Sequence, residues 1–121
     1  MTMNSEQKKS SIEIVVGLNQ DKIPDIIEWK SSDGQKSQDF QEVKAFLLSM
    51  FDKTTKDTLK IDLWTTEMQV VEMDRFMFQT LRALGDTYYK ATANGTLASD
   101  FQRFVEYFGQ QTGVIPPDEK L

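Results

Sequence analysis

Between Val70 and Ala91 apolar side chains return every three or four residues. Val70, Met73, Phe76, Met77, Leu81, Leu84, Tyr88 and Ala91 share one broad face at 100° per residue. A helix of that length is roughly 33 Å long, and its stripe must be buried against a second layer supplied by the rest of the chain. Asn94-Gly95 is its stop signal, because glycine accepts the left-handed conformation that ends a helix. At the start, Glu72 can reach back to the backbone of Gln69, and Met68 can pack on Met73 as a staple. Ser99-Asp-Phe-Gln102 repeats the capping pattern. Behind it Phe101, Phe104, Val105 and Phe108 form the stripe of a final helix ending near Gly109 or Gly113.

Upstream the period changes to two. Ile12, Ile14 and Val16 alternate with Glu13, Val15 and Gly17; Asn19-Gln20-Asp21 supplies turn chemistry; Ile26, Ile27 and Trp29 follow. This reads as a β-hairpin, with Pro24 near the start of the second strand where a lost donor is tolerated. Ser31-Ser-Asp-Gly34 closes that strand and opens a polar loop. Leu59, Ile61 and Leu63 against Lys60, Asp62 and Trp64 form a third strand. Residues 40–52 fit two patterns. Phe40, Val43, Phe46, Leu47, Met50 and Phe51 recur at helical steps behind a cap at Ser37 or Asp39. Phe46, Leu48 and Met50 alternate as a strand, with Asp52-Lys-Thr-Thr-Lys-Asp57 as its turn. The helical pattern begins a turn earlier, so a helix is expected, with Phe40, Val43, Leu47 and Met50 packed on a sheet of 12–17, 26–31 and 58–64. The expected class is α+β: a small antiparallel sheet in ββαβαα order packed against helices. The expected layout is a disordered N-terminal arm over 1–11, a single domain over 12–114 and a frayed C-terminal tail over 115–121, where Pro116 and Pro117 cannot continue a helix.

Chemistry is limited by what the 121 residues lack. With no His and no Cys, there is no imidazole or thiolate to ligate a metal, no disulfide, and no Ser-His-Asp or Cys-His catalysis. Carboxylates remain, but Glu72 and Asp74 are two apart on a helix and diverge. Asp52, Asp57 and Asp62 miss the spacing of a calcium loop, and no Gly-rich phosphate loop precedes a helix. Ser5-Glu-Gln-Lys8 matches Ser-x-x-Lys in an arm that could not hold a nucleophile. The expectation is a non-enzymatic protein with no catalytic, cofactor-binding or metal-ligating residues; the alternative is a small-ligand-binding module or a carboxylate-based enzyme of unknown substrate.

Fourteen basic against 19 acidic residues give a net charge of −5, the wrong sign for a phosphate-backbone binder. No basic patch hides in that total, since Lys53, Lys56 and Lys60 are interleaved with Asp52, Asp57 and Asp62. Nucleic acid is not an expected partner. The apolar run Ile12–Val16 is too short and, with Glu13 inside it, too polar for a secretory leader. No stretch approaches the roughly 20 apolar residues of a membrane span. A cytoplasmic protein without direct membrane insertion is expected, in which Asn94-Gly95-Thr96 is a turn rather than a glycosylation site.

Ile26-Ile-Glu-Trp-Lys30, Leu47-Leu-Ser-Met-Phe-Asp52, Thr58-Leu-Lys-Ile-Asp-Leu-Trp-Thr65 with Glu67-Met68, and Glu72-Met-Asp-Arg-Phe76 together resemble the gliding-motility protein GldC family of Bacteroidetes. The similarity spans about residues 12–112. Its most specific element is Thr58–Thr65 leading into the Met-rich helix with Phe78-Gln-Thr-Leu81 and Asp86-Thr-Tyr88. The chain departs from the family pattern at Phe51, where Trp is usual, and at Gln69, where a small hydroxylated residue or Pro precedes the helix. The resemblance implies a small cytoplasmic accessory protein of gliding motility, the surface-adhesin machinery linked to type IX secretion. It implies no enzymatic activity. The expected partners are proteins of that machinery, or a second copy.

The long helix carries more apolar surface than one core uses. Val71, Phe78 and Tyr89 fall about 80–100° from the centre of the main stripe, with Gly85 near them. Either the last helix covers this second stripe, or part of it joins Trp64 as an exposed protein-binding or self-association patch. Trp64, Val71, Phe78 and Tyr89 are the candidate interaction residues.

Overall fold

A computed structural model describes residues 7–33 and 39–121. Gly34, the Ser37 cap, Ser5 and the first six residues of the expected arm lie outside the described residues. The fold class is α+β: small antiparallel sheets and two helices. The order among the described residues is βββββαα: β1 (Ile12–Leu18), β2 (Pro24–Ser31), β3 (Gln41–Val43), β4 (Ala45–Phe51), β5 (Thr58–Trp64), α1 (Val70–Thr92) and α2 (Gly95–Thr112). Contacts divide the chain into two compact units, Met1–Met68 and Gln69–Leu121.

The first unit is all β. β1, β2 and β3 form one antiparallel sheet in that order, while β4 and β5 form a second, two-stranded one. Register places Ile14 opposite Trp29, Val16 opposite Ile27 and Ile27 opposite Val43, so one face is apolar. Ile27 is fully buried there. The opposite face pairs Glu13 with Lys30, whose charged groups are 4.0 Å apart. Gly17 sits at a register shift before Leu18, and a Cβ on it would come within 2.5 Å of the Ile26 side chain. Only glycine fits that approach.

The expected helix over Phe40–Asp52 is not formed. Those residues supply β3 and β4, and β4 pairs with β5 instead of leaving 58–64 to join the first sheet. The physical reason is a local partner with the same period. Phe46 faces Leu63, Leu48 faces Ile61 and Met50 faces Leu59, so one side of the hairpin is apolar at every position. The connecting turn is self-supporting. Asp52 Oδ1 accepts from the backbone N–H groups of Thr54 (2.8 Å) and Thr55 (2.7 Å), and the Asp52 amide bonds the Asp57 carbonyl at 2.9 Å. A helix through 40–52 would forgo both the turn and the cross-strand pairs.

The second unit is a helical hairpin. Gln69 caps α1, with Glu72 Oε1 accepting from the Gln69 amide at 3.0 Å, as the sequence indicated. α1 ends one residue ahead of the expected stop, with Ala93 taking the left-handed conformation (φ 57°). Asn94 then caps α2, its side chain accepting from the Leu97 amide. The Ser99 capping box is therefore not used, since α2 starts at Gly95 and Ser99 lies inside it. Phe78, Val105 and Ile115 are buried together, with Leu81, Phe101, Phe108, Val114 and Leu121 packed around them.

The tail 115–121 is docked rather than frayed. Gly113 (φ 77°) reverses the chain after α2, Ile115 enters the core, and polar side chains of α2 hold the rest. Gln110 Nε2 donates to the Glu119 carbonyl (2.9 Å), Gln102 Nε2 donates to the Leu121 carbonyl (2.8 Å), and the Leu121 amide donates to Glu106 Oε2 (3.0 Å). α2 ends at Gly113, one of its two expected stops, ahead of Pro116 and Pro117; the reversal gives the segment behind it a surface to lie on.

Candidate protein-interaction surface

The helices meet where side chains are missing. A Cβ on Gly109 would lie 2.5 Å from the Phe78 ring and 3.0 Å from Ile115, and one on Gly85 would touch the Phe101 ring at 3.0 Å. These two glycines let the aromatic rings of the partner helix sink in. Phe78 is consequently 5% exposed. As a candidate interaction residue it is corrected to a core residue of the helical unit, held by Val105 and Ile115 over the Gly109 notch.

The other three candidates are exposed, and Val71 and Tyr89, both in the helical unit, do not share one patch. Val71 stands in the first turn of α1 and Tyr89 in its last turns, about 27 Å apart along the axis. Trp64 ends β5, opposite Ala45, and is exposed. Tyr89 borders a cleft of about 360 Å³ between α1 and α2, whose polar side chains include Arg82, Asp86, Ser99 and Gln102.

The larger open apolar surfaces involve residues expected to be core. Opposite the cleft and tail, α1 and α2 enclose a groove of about 840 Å³ lined by Leu84, Tyr88, Ala91, Leu97, Phe101 and Phe104. Leu84 is 52%, Leu97 51% and Phe104 50% exposed. Phe104 packs beside Tyr107 and Phe108, ring centroids 6.3 Å away in both cases. Helical periodicity marks Leu84, Tyr88 and Phe104 as apolar positions without saying which stripe meets the other helix. The signal for that was the Gly85 and Gly109 notches, about 100–140° around each helix from Leu84 and Phe104. In the first unit, Met50, Leu59 and Ile61 remain exposed on the apolar side of the β4–β5 hairpin. A smaller groove of about 230 Å³ runs past Ile14, Trp29, Val43 and Phe46.

Charged groups in both units serve the surface and the turns. The Asp52 carboxyl is held below the ordinary carboxylate range, chiefly by the Thr55 backbone N–H and then by that of Thr54. Lys60 pairs with Asp62 and Arg103 with Asp100. Among the described residues, no three Asp, Glu, His or Cys side chains gather where a metal could be held. Likewise no helix is long and apolar enough to cross a membrane.

Comparison with curated proteins and with solved structures finds no match. A family model does match, that of the gliding motility-associated protein GldC-like family, over residues 24–114. That span begins at the first residue of β2 and runs through α2 to just beyond its Gly113 cap. It takes in three-quarters of the sequence and reaches into both structural units, and on this match the chain belongs to the GldC-like family.

Proposed function

We propose that this chain is a non-enzymatic, cytoplasmic accessory protein of gliding motility that works by binding protein. The machinery it serves is the surface-adhesin apparatus linked to type IX secretion. Family membership carries the reading. The exposed apolar side chains support the mode of action: soluble monomers seldom leave large contiguous apolar patches open, and such patches mark association sites. An acidic chain without His or Cys fits a protein that holds partners better than one that turns over a substrate.

The experiment is deletion of the gene in its host, with colony spreading, growth and cell fractionation read together. The expected result is impaired spreading at normal growth, restored by the wild-type gene, with the tagged protein in the cytoplasmic fraction. Unchanged spreading, or recovery of the protein from the outer membrane, would overturn the proposal.

A further inference from the structure

We propose that the face formed by Leu84, Tyr88, Leu97 and Phe104 is where a second copy of this chain docks, two helical hairpins closing across a two-fold axis into a four-helix bundle. The inference goes beyond the motility reading and does not depend on it. A hairpin of two helices with one apolar face open is half of such a bundle, and the groove between α1 and α2 on that face gives apolar knobs from an identical hairpin a place to enter.

The charge pattern suits a second copy. On α1 the charged side chains Glu72, Arg75, Arg82, Asp86 and Lys90 lie about 160–240° around the helix from Leu84, and Asp74, about 80° round, stands near the N-terminal end ten residues away, while Thr80, Thr87 and Ala91 flank it. Those three are uncharged and small enough for a facing helix to approach closely. On α2 the charged residue lining the groove is Asp100, and its carboxylate is taken by Arg103 one turn on. Near the axis of a two-fold contact a group meets its own copy, so the face there must be free of unpaired charge. This face meets that condition.

The area is also sufficient. Leu84, Tyr88, Leu97, Phe104 and Tyr107 are between 40% and 57% exposed. At roughly 200 Å² for each large side chain, they and their neighbours offer about 500 Å² of apolar surface per copy. Both copies together reach about 1,000 Å², where specific interfaces begin.

The test measures the mass of the full chain in solution by sedimentation equilibrium at micromolar concentration. The expected mass is about twice 13.9 kDa. Leu84→Glu with Phe104→Glu in one chain should return the mass to that of a single chain, with helix content unchanged by circular dichroism. Arg82→Glu, on the opposite stripe, should stay dimeric. Should the double variant not fold, cysteine scanning decides, because the chain has no cysteine of its own. At least one of Leu84→Cys, Tyr88→Cys and Phe104→Cys should form a covalent dimer under mild oxidation, and Arg82→Cys should not. A wild-type mass of one chain, a dimer that survives the glutamate pair in folded form, or cross-linking through Arg82→Cys alone would overturn the proposal.

Discussion

Single residues set the β1–β2 and β4–β5 turns of the first unit, and both turns use the same device. Asn19 and Asp52 open the turns with side-chain oxygens that accept backbone N–H groups, and Lys22 and Lys56 close them in the left-handed region, each at φ 62°. A lysine there carries a steric cost that glycine avoids. Lys56→Gly should therefore raise stability by up to about 1 kcal/mol in urea melts, even though it deletes a side chain and frees the unfolded backbone. Asp52 adds a pH dependence whose sign is fixed. Its folded carboxyl titrates below the ordinary value, so its contribution is present above about pH 4 and is lost as pH falls through the lower folded value. Asp52→Asn keeps the acceptor oxygen but does not titrate. Thermal melts should show wild type above the variant at neutral pH and the gap closing in acid. Thr65 is a third case. It is 3% exposed, its amide bonds the Lys44 carbonyl at 2.8 Å, and its hydroxyl has no hydrogen-bond partner. Thr65→Val preserves shape and removes the unpaired hydroxyl, so its stability should equal or exceed that of wild type, by up to about 1 kcal/mol.

The elements divide into those whose local pattern had one reading and those whose pattern had two. α1 was legible because its stripe runs for six turns and Glu72 caps it, and β1, β2 and β5 because alternation and turn residues agreed. β4 was not, because Phe46 and Met50 satisfy both periods. What decides between them is a partner, β5, that begins only after the Asp52–Asp57 turn. The start of α2 was misplaced for a related reason. Ser99 offered a capping box, but Asn94 reached Leu97 first, and a cap nearer the preceding helix shortens the connection. The docked tail depends on Gly113 and on three polar side chains of α2, none of which follows a periodic rule. At this scale the Gly109 notch is the sensitive point. Gly109→Ala drives a methyl into the Phe78 ring and should cost about 1–3 kcal/mol in denaturant melts, despite alanine's better helix propensity. Phe78→Ala empties the same notch from the other side and should cost about 3–5 kcal/mol.

For the molecule as a whole, composition bears on chemistry and says little about the surface. Lack of His and Cys narrowed the plausible roles before any element was placed. The interaction residues were harder to place, because each depends on which of two adjacent stripes turns inward, and glycine notches rather than apolar periodicity govern that choice. Phe78 went into the core, while Leu84, Leu97 and Phe104 stayed out. If this GldC-like chain acts through protein contacts, destroying the open helical face must cost function without costing the fold. Colony spreading of gene-deleted cells that carry Leu84→Glu with Phe104→Glu at wild-type protein level, with helix content checked on the purified variant, measures this directly. The account predicts a folded protein and cells that spread no better than the deletion; folded variant protein with spreading restored to the wild-type rate would contradict it.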